Sequence, residues 1–129
     1  AEEDLPGYET YRLFIRRYVR YCAEHPEHAR IMVSETVRGG DRLEWLVSEF
    51  LSPKIEILRP VANTLVEEGK LPDLWPVSMR YIIAAACQAP FTLAAEVRAL
   101  YGVDMFTEEA IEAHTDSVLR LLFRDADRA

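Results

Sequence analysis

The sequence has few cysteines, few glycines and no excess of positive charge, and each shortage excludes a class of protein. The two cysteines, Cys22 and Cys87, do not form a C-x-x-C metal motif, and at most one disulfide could join them. Of five glycines only Gly39 and Gly40 are adjacent, so no glycine-rich phosphate loop exists. A net charge of −7, from 15 Lys+Arg and 22 Asp+Glu, argues against binding of nucleic acid or an anionic membrane surface by this chain itself.

Long hydrophobic runs are also missing. The most apolar stretch, over 81–95, is interrupted by Gln88, Pro90 and Thr92, and a bilayer span takes roughly 20 apolar residues. This stretch predicts a buried core helix, and no membrane partner is expected. The acidic residues 1–4 do not resemble a signal peptide. Two cysteines in apolar helical patterns indicate buried free thiols in a reducing compartment, so we expect a cytoplasmic protein.

What remains is the composition of one globular domain. In 129 residues, 50% are hydrophobic and 29% charged, and no segment alternates long enough to be a strand. The predicted fold class is all-α, an antiparallel bundle of about six helices. We expect a disordered or linker lead-in at 1–7, a domain at 8–124 and a frayed tail at 125–129.

Apolar periodicity and helix-stop signals set the predicted helices. Pro53 and Pro60 predict a kink or split in the third helix, and Pro90 is expected to end or kink the fourth. Thr107 is the predicted N-cap of the last helix. The predicted segments are 8–24, 26–37, 41–68, 74–89, 93–100 and 107–123.

Four arginines make the first helix locally basic. Arg12, Arg16 and Arg20 form a row on one face, with Arg17 beside it. The row is interpreted either as a solvated face or as a surface that abuts a phosphate-binding module or an acidic partner.

The fourth helix is apolar nearly all round, which predicts burial on both sides. One side can pack on the core of a domain this size, and the other is predicted to pack on a second subunit. Small residues there would let another helix come close: Ala84, Ala85, Ala86 and Ala89.

No positive feature indicates an enzyme. His25 and His28 have a spacing that can suit a metal, but Pro26 places them in different elements, so no metal site or cofactor is predicted. His114 is interpreted as a packing histidine rather than a base. A small helical enzyme that uses His114 with a nearby carboxylate stays open as an alternative.

Aromatic and sulfur-containing residues on four helices could converge. Singly, each favours core packing, whereas the set is typical of an adaptable apolar ligand cavity. Glu35, Arg80 or Gln88 could supply a polar anchor, and the sequence does not choose among them. The set comprises Tyr18, Tyr21, Cys22, Met32, Trp45, Phe50, Trp75 and Met79.

Three passages carry a family pattern over about residues 11–123. The first, 18–35, contains His-Pro-Glu between two helices; the second, 42–72, ends in Glu-Gly-Lys-Leu-Pro; the third, 89–123, begins Ala-Pro-Phe. Their order and spacing resemble the C-terminal, effector-binding and dimerisation domain of TetR-type transcriptional regulators. Such regulators begin with a helix-turn-helix domain, which nothing here matches. The expectation is a sensor domain, or a fragment, of a longer regulator that contacts DNA only through that other domain.

The resemblance implies a homodimer and an unknown small-molecule effector. The last two long helices would pair with their copies, through Ile82, Ala85, Ala86, Ala89, Val118, Leu121 and Leu122. An apolar or aromatic effector would lie among the first four helices, against Tyr18, Cys22, Met32, Trp45, Phe50, Trp75 and Met79. Two further alternatives stay open: a stand-alone helical interaction module, and a dimerising domain whose cavity is filled by its own aromatic side chains.

Overall fold

The computed structural model describes residues 5–124, except the side chains of 5, 6 and 50–57. Over this range it contains seven α-helices and no strand. The all-α prediction is therefore confirmed, with seven helices instead of about six. A π-helical segment, Val47–Leu51, joins the third helix to the fourth. The helices are α1 Leu5–Glu24, α2 Pro26–Arg38, α3 Asp41–Leu46, α4 Ser52–Glu67, α5 Pro76–Thr92, α6 Ala94–Tyr101 and α7 Glu108–Leu122.

The helix bounds differ from the predictions at a few places. Residues 5–7 of the expected lead-in already belong to α1, while 1–4 and the expected tail at 125–129 lie outside the described residues. The long third segment divides at the π-helical segment, directly before Ser52 and Pro53. Pro60 lies inside α4 and does not end that helix.

The core forms where α1 packs against α4, α5 and α7. Its residues recur at helical spacing along each helix, so one face of each is removed from water. Full burial of one large apolar side chain stabilises the fold by roughly 1.5–3 kcal/mol. The core residues of α1, α5 and α7 are Tyr11, Ile15, Val19, Cys22, Ala23, Ile83, Cys87, Phe91, Ile111, Val118, Leu119 and Leu122.

Pro90 is expected from the sequence to end or kink α5, but the helix does not end there and continues past the predicted boundary at residue 89. A proline has no N–H, so the carbonyl of Ala86, four residues earlier, loses its helical partner. His114 of α7 replaces that bond, because its Nε2 donates to the Ala86 oxygen at 2.7 Å. The same imidazole packs edge-on against Phe91, with ring centroids 5.6 Å apart. A side chain from another helix thus lets α5 continue to Thr92.

Local stop and start signals are confirmed. Gly102 ends α6 with a φ of 68°, a left-handed conformation that glycine adopts without strain. The hydroxyl of Thr107 accepts a hydrogen bond from the Ala110 amide at 3.1 Å and so caps α7. No helix of the described part is both long and apolar enough to cross a bilayer.

Candidate functional site

A half-buried polar pair lies in the interface between α1 and α5. Gln88 of α5 donates a hydrogen bond from Nε2 to the Tyr18 hydroxyl of α1. Two buried free thiols, Cys22 and Cys87, accompany this pair. We call these four residues the Tyr18–Gln88 site. A hydroxyl and an amide among soft, polarisable sulfur atoms form a surface that can adapt to an apolar ligand and still orient it.

The side chains of this site are uncharged at neutral pH. Burial raises the pKa of Cys22 to about 11 and that of Cys87 to about 12. Burial also raises the pKa of Tyr18, against the opposing effect of the hydrogen bond from Gln88. Since a thiol reacts as its thiolate, neither cysteine has the character of a nucleophile. The site offers neutral hydrogen-bonding groups and no fixed charge of its own.

The other predicted ligand residues do not all join this site. Met32 of α2 is half-buried, whereas Trp45 of α3 and Trp75, which precedes α5, are exposed. The side chain of Phe50 lies outside the described residues. Of the seven predicted residues, Tyr18 and Cys22 of α1 belong to the Tyr18–Gln88 site. Met79 of α5 is half-buried and packs against the core.

Of the three possible polar anchors, Gln88 is the one bonded within the site. Arg80 is exposed, with its guanidinium 5.7 Å from the centre of the Tyr81 ring. Glu35 is buried on α2 and pairs with Arg42, whose Nε lies 3.4 Å from Glu35 Oε2. Among the described residues, no donor forms an aligned hydrogen bond to that oxygen. Glu35 is therefore a second buried polar group, held by one ion pair.

A half-open cavity of about 270 Å³ lies elsewhere, between α6 and the loop that precedes α7. The ion pair of Arg98 and Asp104, 3.5 Å apart, borders it. It contains none of the predicted ligand residues. Its lining residues are Ala94, Ala95, Arg98, Val103, Asp104, Met105 and Phe106.

The predicted subunit surface divides between the core and the exterior. Val118 and Leu122 are each 3% exposed, whereas Leu121 of the same helix is 73% exposed. The first two face α1 and the core, so neither has surface left for a partner, and we correct their assignment. Ala86 is half-buried, and its carbonyl is occupied by His114. The exposed members of the predicted set are Ile82, Ala85, Ala89 and Leu121.

The arginine row of α1 contacts α7, which neither interpretation of the sequence anticipated. Arg20 makes two hydrogen bonds of 2.8 Å to the carboxylate of Glu108, and its Nη2 lies 3.5 Å from Glu112. Arg16 lies 3.8 Å from Glu112 and 4.0 Å from Asp116. We call these contacts the α1–α7 ladder. The Arg20 hydrogen bonds hold the pKa of Glu108 below its usual value.

Arg12 continues the row without joining an acid of α7. Its guanidinium lies 5.2 Å from the ring centre of Tyr8 and 5.5 Å from that of Phe123. Arg17 is exposed. The acids of α7 that complete the ladder recur every four residues, a spacing that could have indicated a complementary charged face.

The histidines at the α1–α2 joint lie together, although Pro26 does place them in different elements. His25 precedes α2, His28 lies in its first turn, and the two rings stack with centroids 4.7 Å apart. Placement in different elements, on which the expectation of no metal site rested, therefore does not keep the two side chains apart.

Comparison with known proteins identifies the family. The family model for the tetracyclin repressor-like C-terminal domain matches residues 8–122, which is most of the chain. Neither the curated proteins nor the solved structures compared with the chain gave a match. The matched range includes the Tyr18–Gln88 site, the α1–α7 ladder and the exposed face of α5. The chain belongs to the family of tetracyclin repressor-like C-terminal domains.

Proposed function

We propose that this chain is the effector-sensing and homodimerisation domain of a TetR-like transcriptional regulator. The observation that carries the proposal is the Tyr18–Gln88 hydrogen bond in a sulfur-lined interface between two core helices. A polar pair half-open to solvent can exchange its mutual bond for bonds to a ligand. The pair is also positioned where a ligand would act on the spacing of α1 and α5.

The effector is an apolar or aromatic small molecule with one or two hydrogen-bonding groups. The site supplies a phenolic hydroxyl, an amide and soft sulfur atoms, and its thiols stay protonated because burial raises their pKa to about 11 and 12. An uncharged planar compound matches these groups without leaving an unpaired charge in the interface.

The signal travels through α1. A ligand that separates Tyr18 from Gln88 shifts α1 against α5, and the α1–α7 ladder couples that shift to α7. In TetR-type regulators the first helix of this domain follows the DNA-binding domain. The ligand changes DNA binding only to the extent that it has different affinities for the two arrangements of α1.

The dimer forms through the exposed apolar face of α5 and the adjoining part of α7. Ile82, Ala85 and Ala89 recur at helical spacing opposite the buried face of α5, and Leu121 of α7 is exposed. Alanines let a second helix approach closely, and a two-fold axis would place this face against its copy. The four residues provide an apolar centre for a four-helix interface.

The ligand proposal is tested with 1-naphthol, an uncharged planar phenol, by calorimetry and thermal shift. We expect a rise in Tm for the unsubstituted chain and a loss of about tenfold in affinity for Tyr18→Phe combined with Gln88→Leu, since each lost hydrogen bond is worth about 0.5–1.5 kcal/mol. Tyr81→Phe, an exposed tyrosine of α5, is the matched control and should bind normally. Equal affinity in all three proteins would show that 1-naphthol does not bind at the Tyr18–Gln88 site.

The dimer proposal is tested by sedimentation velocity. The chain has a mass of 14.8 kDa, and we expect a species of twice that mass. Leu121→Glu and Ile82→Glu should each give monomers, because a charge at the centre of an apolar interface loses its hydration. Val33→Glu, at an exposed position of α2, should stay dimeric. A monomeric unsubstituted chain at micromolar concentration contradicts the proposal.

A stand-alone interaction module is the second candidate, and the surface of α2 and α3 favours it. Ile31, Val37 and Trp45 are large apolar residues exposed on these two short helices. A module of this kind associates with a different protein through them and does not self-associate. Sedimentation of the chain alone therefore distinguishes the two candidates.

A further inference from the structure

Three potential metal ligands converge where α1 ends and α2 begins. Glu27 Oε1 lies 3.7 Å from His25 Nδ1 and 3.8 Å from His28 Nε2. All three donor atoms lie within 4.8 Å of one another. The cluster is separate from the Tyr18–Gln88 site, and no feature of the proposed regulator function accounts for it.

The backbone at this joint holds the three side chains together. The His25 amide donates to the Tyr21 carbonyl at 2.9 Å, which ties His25 to the last turn of α1. The His28 amide donates to the His25 carbonyl at 3.0 Å, which ties the same residue to the first turn of α2. Pro26 begins α2 with a φ already suited to a helix. The convergence therefore follows from the fold of the joint.

The separations are close to those of a metal site. Zinc bonds of about 2.0–2.2 Å in tetrahedral geometry place the ligand atoms roughly 3.3–3.5 Å apart. Along the two edges to Glu27 Oε1 the donors need to move inward by only a few tenths of an ångström. The two imidazole nitrogens lie within 4.8 Å of each other, so the third edge must close further by side-chain rotation. The imidazole planes are within 8° of parallel, so at least one ring must turn for both lone pairs to reach one ion. The histidine side chains are 44% and 45% exposed, and χ2 of histidine has broad wells, which permits this turn.

Tyr21 supplies the second shell. Its hydroxyl hydrogen-bonds to His28 Nδ1, the ring nitrogen that does not face Glu27. When Nδ1–H donates to this oxygen, Nε2 carries the lone pair and is free to bind a metal. Such partners of a metal-bound imidazole fix its tautomer and orientation. The Tyr21 ring also packs against both imidazoles, with centroids 5.0 and 5.5 Å away.

We propose that His25 Nδ1, Glu27 Oε1 and His28 Nε2 bind one Zn²⁺ ion per protomer, with water at the fourth position. Two imidazoles and one carboxylate favour zinc and similar transition metals over Mg²⁺ and Ca²⁺, which prefer oxygen ligands. The ion lies between the C-terminus of α1 and the N-terminus of α2, so the two helix dipoles act on it in opposite senses. By binding residues on both sides of Pro26, it fixes the angle between the two helices.

Isothermal calorimetry on the chelator-treated chain, purified without a histidine tag, tests the proposal. With ZnCl₂ we expect one ion per protomer, and with MgCl₂ or CaCl₂ no saturable heat. His28→Gln and Glu27→Gln should each weaken zinc binding by about tenfold or more. Glu24→Gln, at the exposed acid directly before His25, is the control for loss of a nearby negative charge that is not a proposed ligand. Tyr21→Phe should keep the stoichiometry and lose roughly tenfold in affinity, as second-shell changes do.

Co²⁺ provides a readout that does not depend on heat. Bound in place of zinc, it should give visible absorption of the intensity typical of four-coordinate sites, and His25→Gln should abolish it. Circular dichroism checks that the variants stay folded, which the partial exposure of all three ligands favours. Absence of saturable zinc binding, equal affinity in His28→Gln, or half an ion per chain would each overturn the intramolecular site.

Discussion

Helices α1, α5 and α7 bury apolar side chains along their length, whereas α2 and α3 bury almost none. The one buried residue described on α2 is a carboxylate, Glu35, and α3 has none. Large apolar residues of α2 and α3, such as Ile31, Val37 and Trp45, are exposed instead. We call α1, α5 and α7 the packed sector, and α2 and α3 the outer sector.

The difference teaches that apolar content does not decide burial. A helix buries a face only where its neighbours present matching apolar faces. Helix α1 has such neighbours in α4, α5 and α7, whereas α2 contacts α1, α3 and α5 without burying an apolar side chain. Segments with few buried contacts open most easily, and elements that move on binding are drawn from them. The outer sector is therefore the part of this domain that a ligand or partner can rearrange at least cost.

The same substitution in each sector gives the largest expected contrast. Ile15 of α1 is 0% exposed and Ile31 of α2 is 54% exposed. We expect Ile15→Ala to lower the free energy of unfolding by about 2–5 kcal/mol, because it leaves a cavity in a close-packed core. Ile31→Ala should change it by less than about 0.5 kcal/mol. Urea denaturation followed by circular dichroism measures both, and equal losses would erase the distinction between the sectors.

His114→Leu tests the bond that lets α5 pass Pro90. Without the imidazole the part-buried Ala86 carbonyl has lost its hydrogen-bond donor, so we expect a loss of about 1–3 kcal/mol in the free energy of unfolding. His114→Gln keeps a donor and should lose less. In a Pro90→Ala background the helix can satisfy Ala86 itself, so His114→Leu should then be less harmful. If His114→Leu lowers the free energy of unfolding equally in both backgrounds, His114 does not compensate for the hydrogen bond that Pro90 removes.

Thr107→Ala removes the side-chain hydrogen bond that caps the N-terminus of α7. Helix α7 would then begin without a side-chain cap, as α2 does at His25. We expect a loss of about 1 kcal/mol in the free energy of unfolding. Thr107→Ser retains the hydroxyl and is the control. If serine and alanine behave alike, the hydroxyl does not stabilise α7.

Arg20→Gln in the α1–α7 ladder has the smallest expected effect, because the pair with Glu108 is exposed to solvent. Arg20 lowers the pKa of Glu108 in the folded protein, so its contribution to stability exists at neutral pH and is lost as acid protonates that carboxylate. The variant should therefore lower Tm slightly at pH 7 and not at strongly acidic pH. Arg17→Gln is the control.

An NMR titration gives the sharper measurement. In Arg20→Gln the pKa of Glu108 should rise toward the usual value of a glutamate, and added salt should raise it in the unsubstituted chain as well. If neither the substitution nor added salt changes the pKa of Glu108, the Arg20–Glu108 ion pair does not contribute to the stability of the α1–α7 ladder.

Much of the packed sector could be predicted from the sequence, because its signals are local. The spacing of Tyr11 and Ile15 indicates a buried helix face, and Thr107 and Gly102 mark helix ends within one turn. The predicted end of α5 at residue 89 was wrong because the hydrogen bond that Pro90 removes is replaced from another helix. His114 of α7 donates to the Ala86 carbonyl. Local pattern could not tell Val118 from Leu121 either, since the choice of buried face depends on where α1 lies.

The candidate site was less predictable for the same reason. Tyr18 and Gln88 are 70 residues apart, so only the packing of α1 on α5 selects Gln88 over Arg80 and Glu35. The joint at Pro26 shows the opposite error. In the sequence, the helix break at Pro26 argues against a shared metal site, although the turn there brings the side chains of His25 and His28 together.

The contact between the first turns of α1 and the end of α7 constrains how this domain is made. The rings of Tyr8 and Tyr11 pack edge-on against Phe123, at 5.4 and 5.7 Å. A ribosome that adds roughly 5–20 residues per second reaches Phe123 about 6–23 seconds after Tyr8. Throughout that interval the apolar face of α1 lacks α7, its partner at the opposite end of the sequence. The core of this domain therefore closes only after α7 has been synthesised, and until then part of the apolar face of nascent α1 is exposed to aggregation.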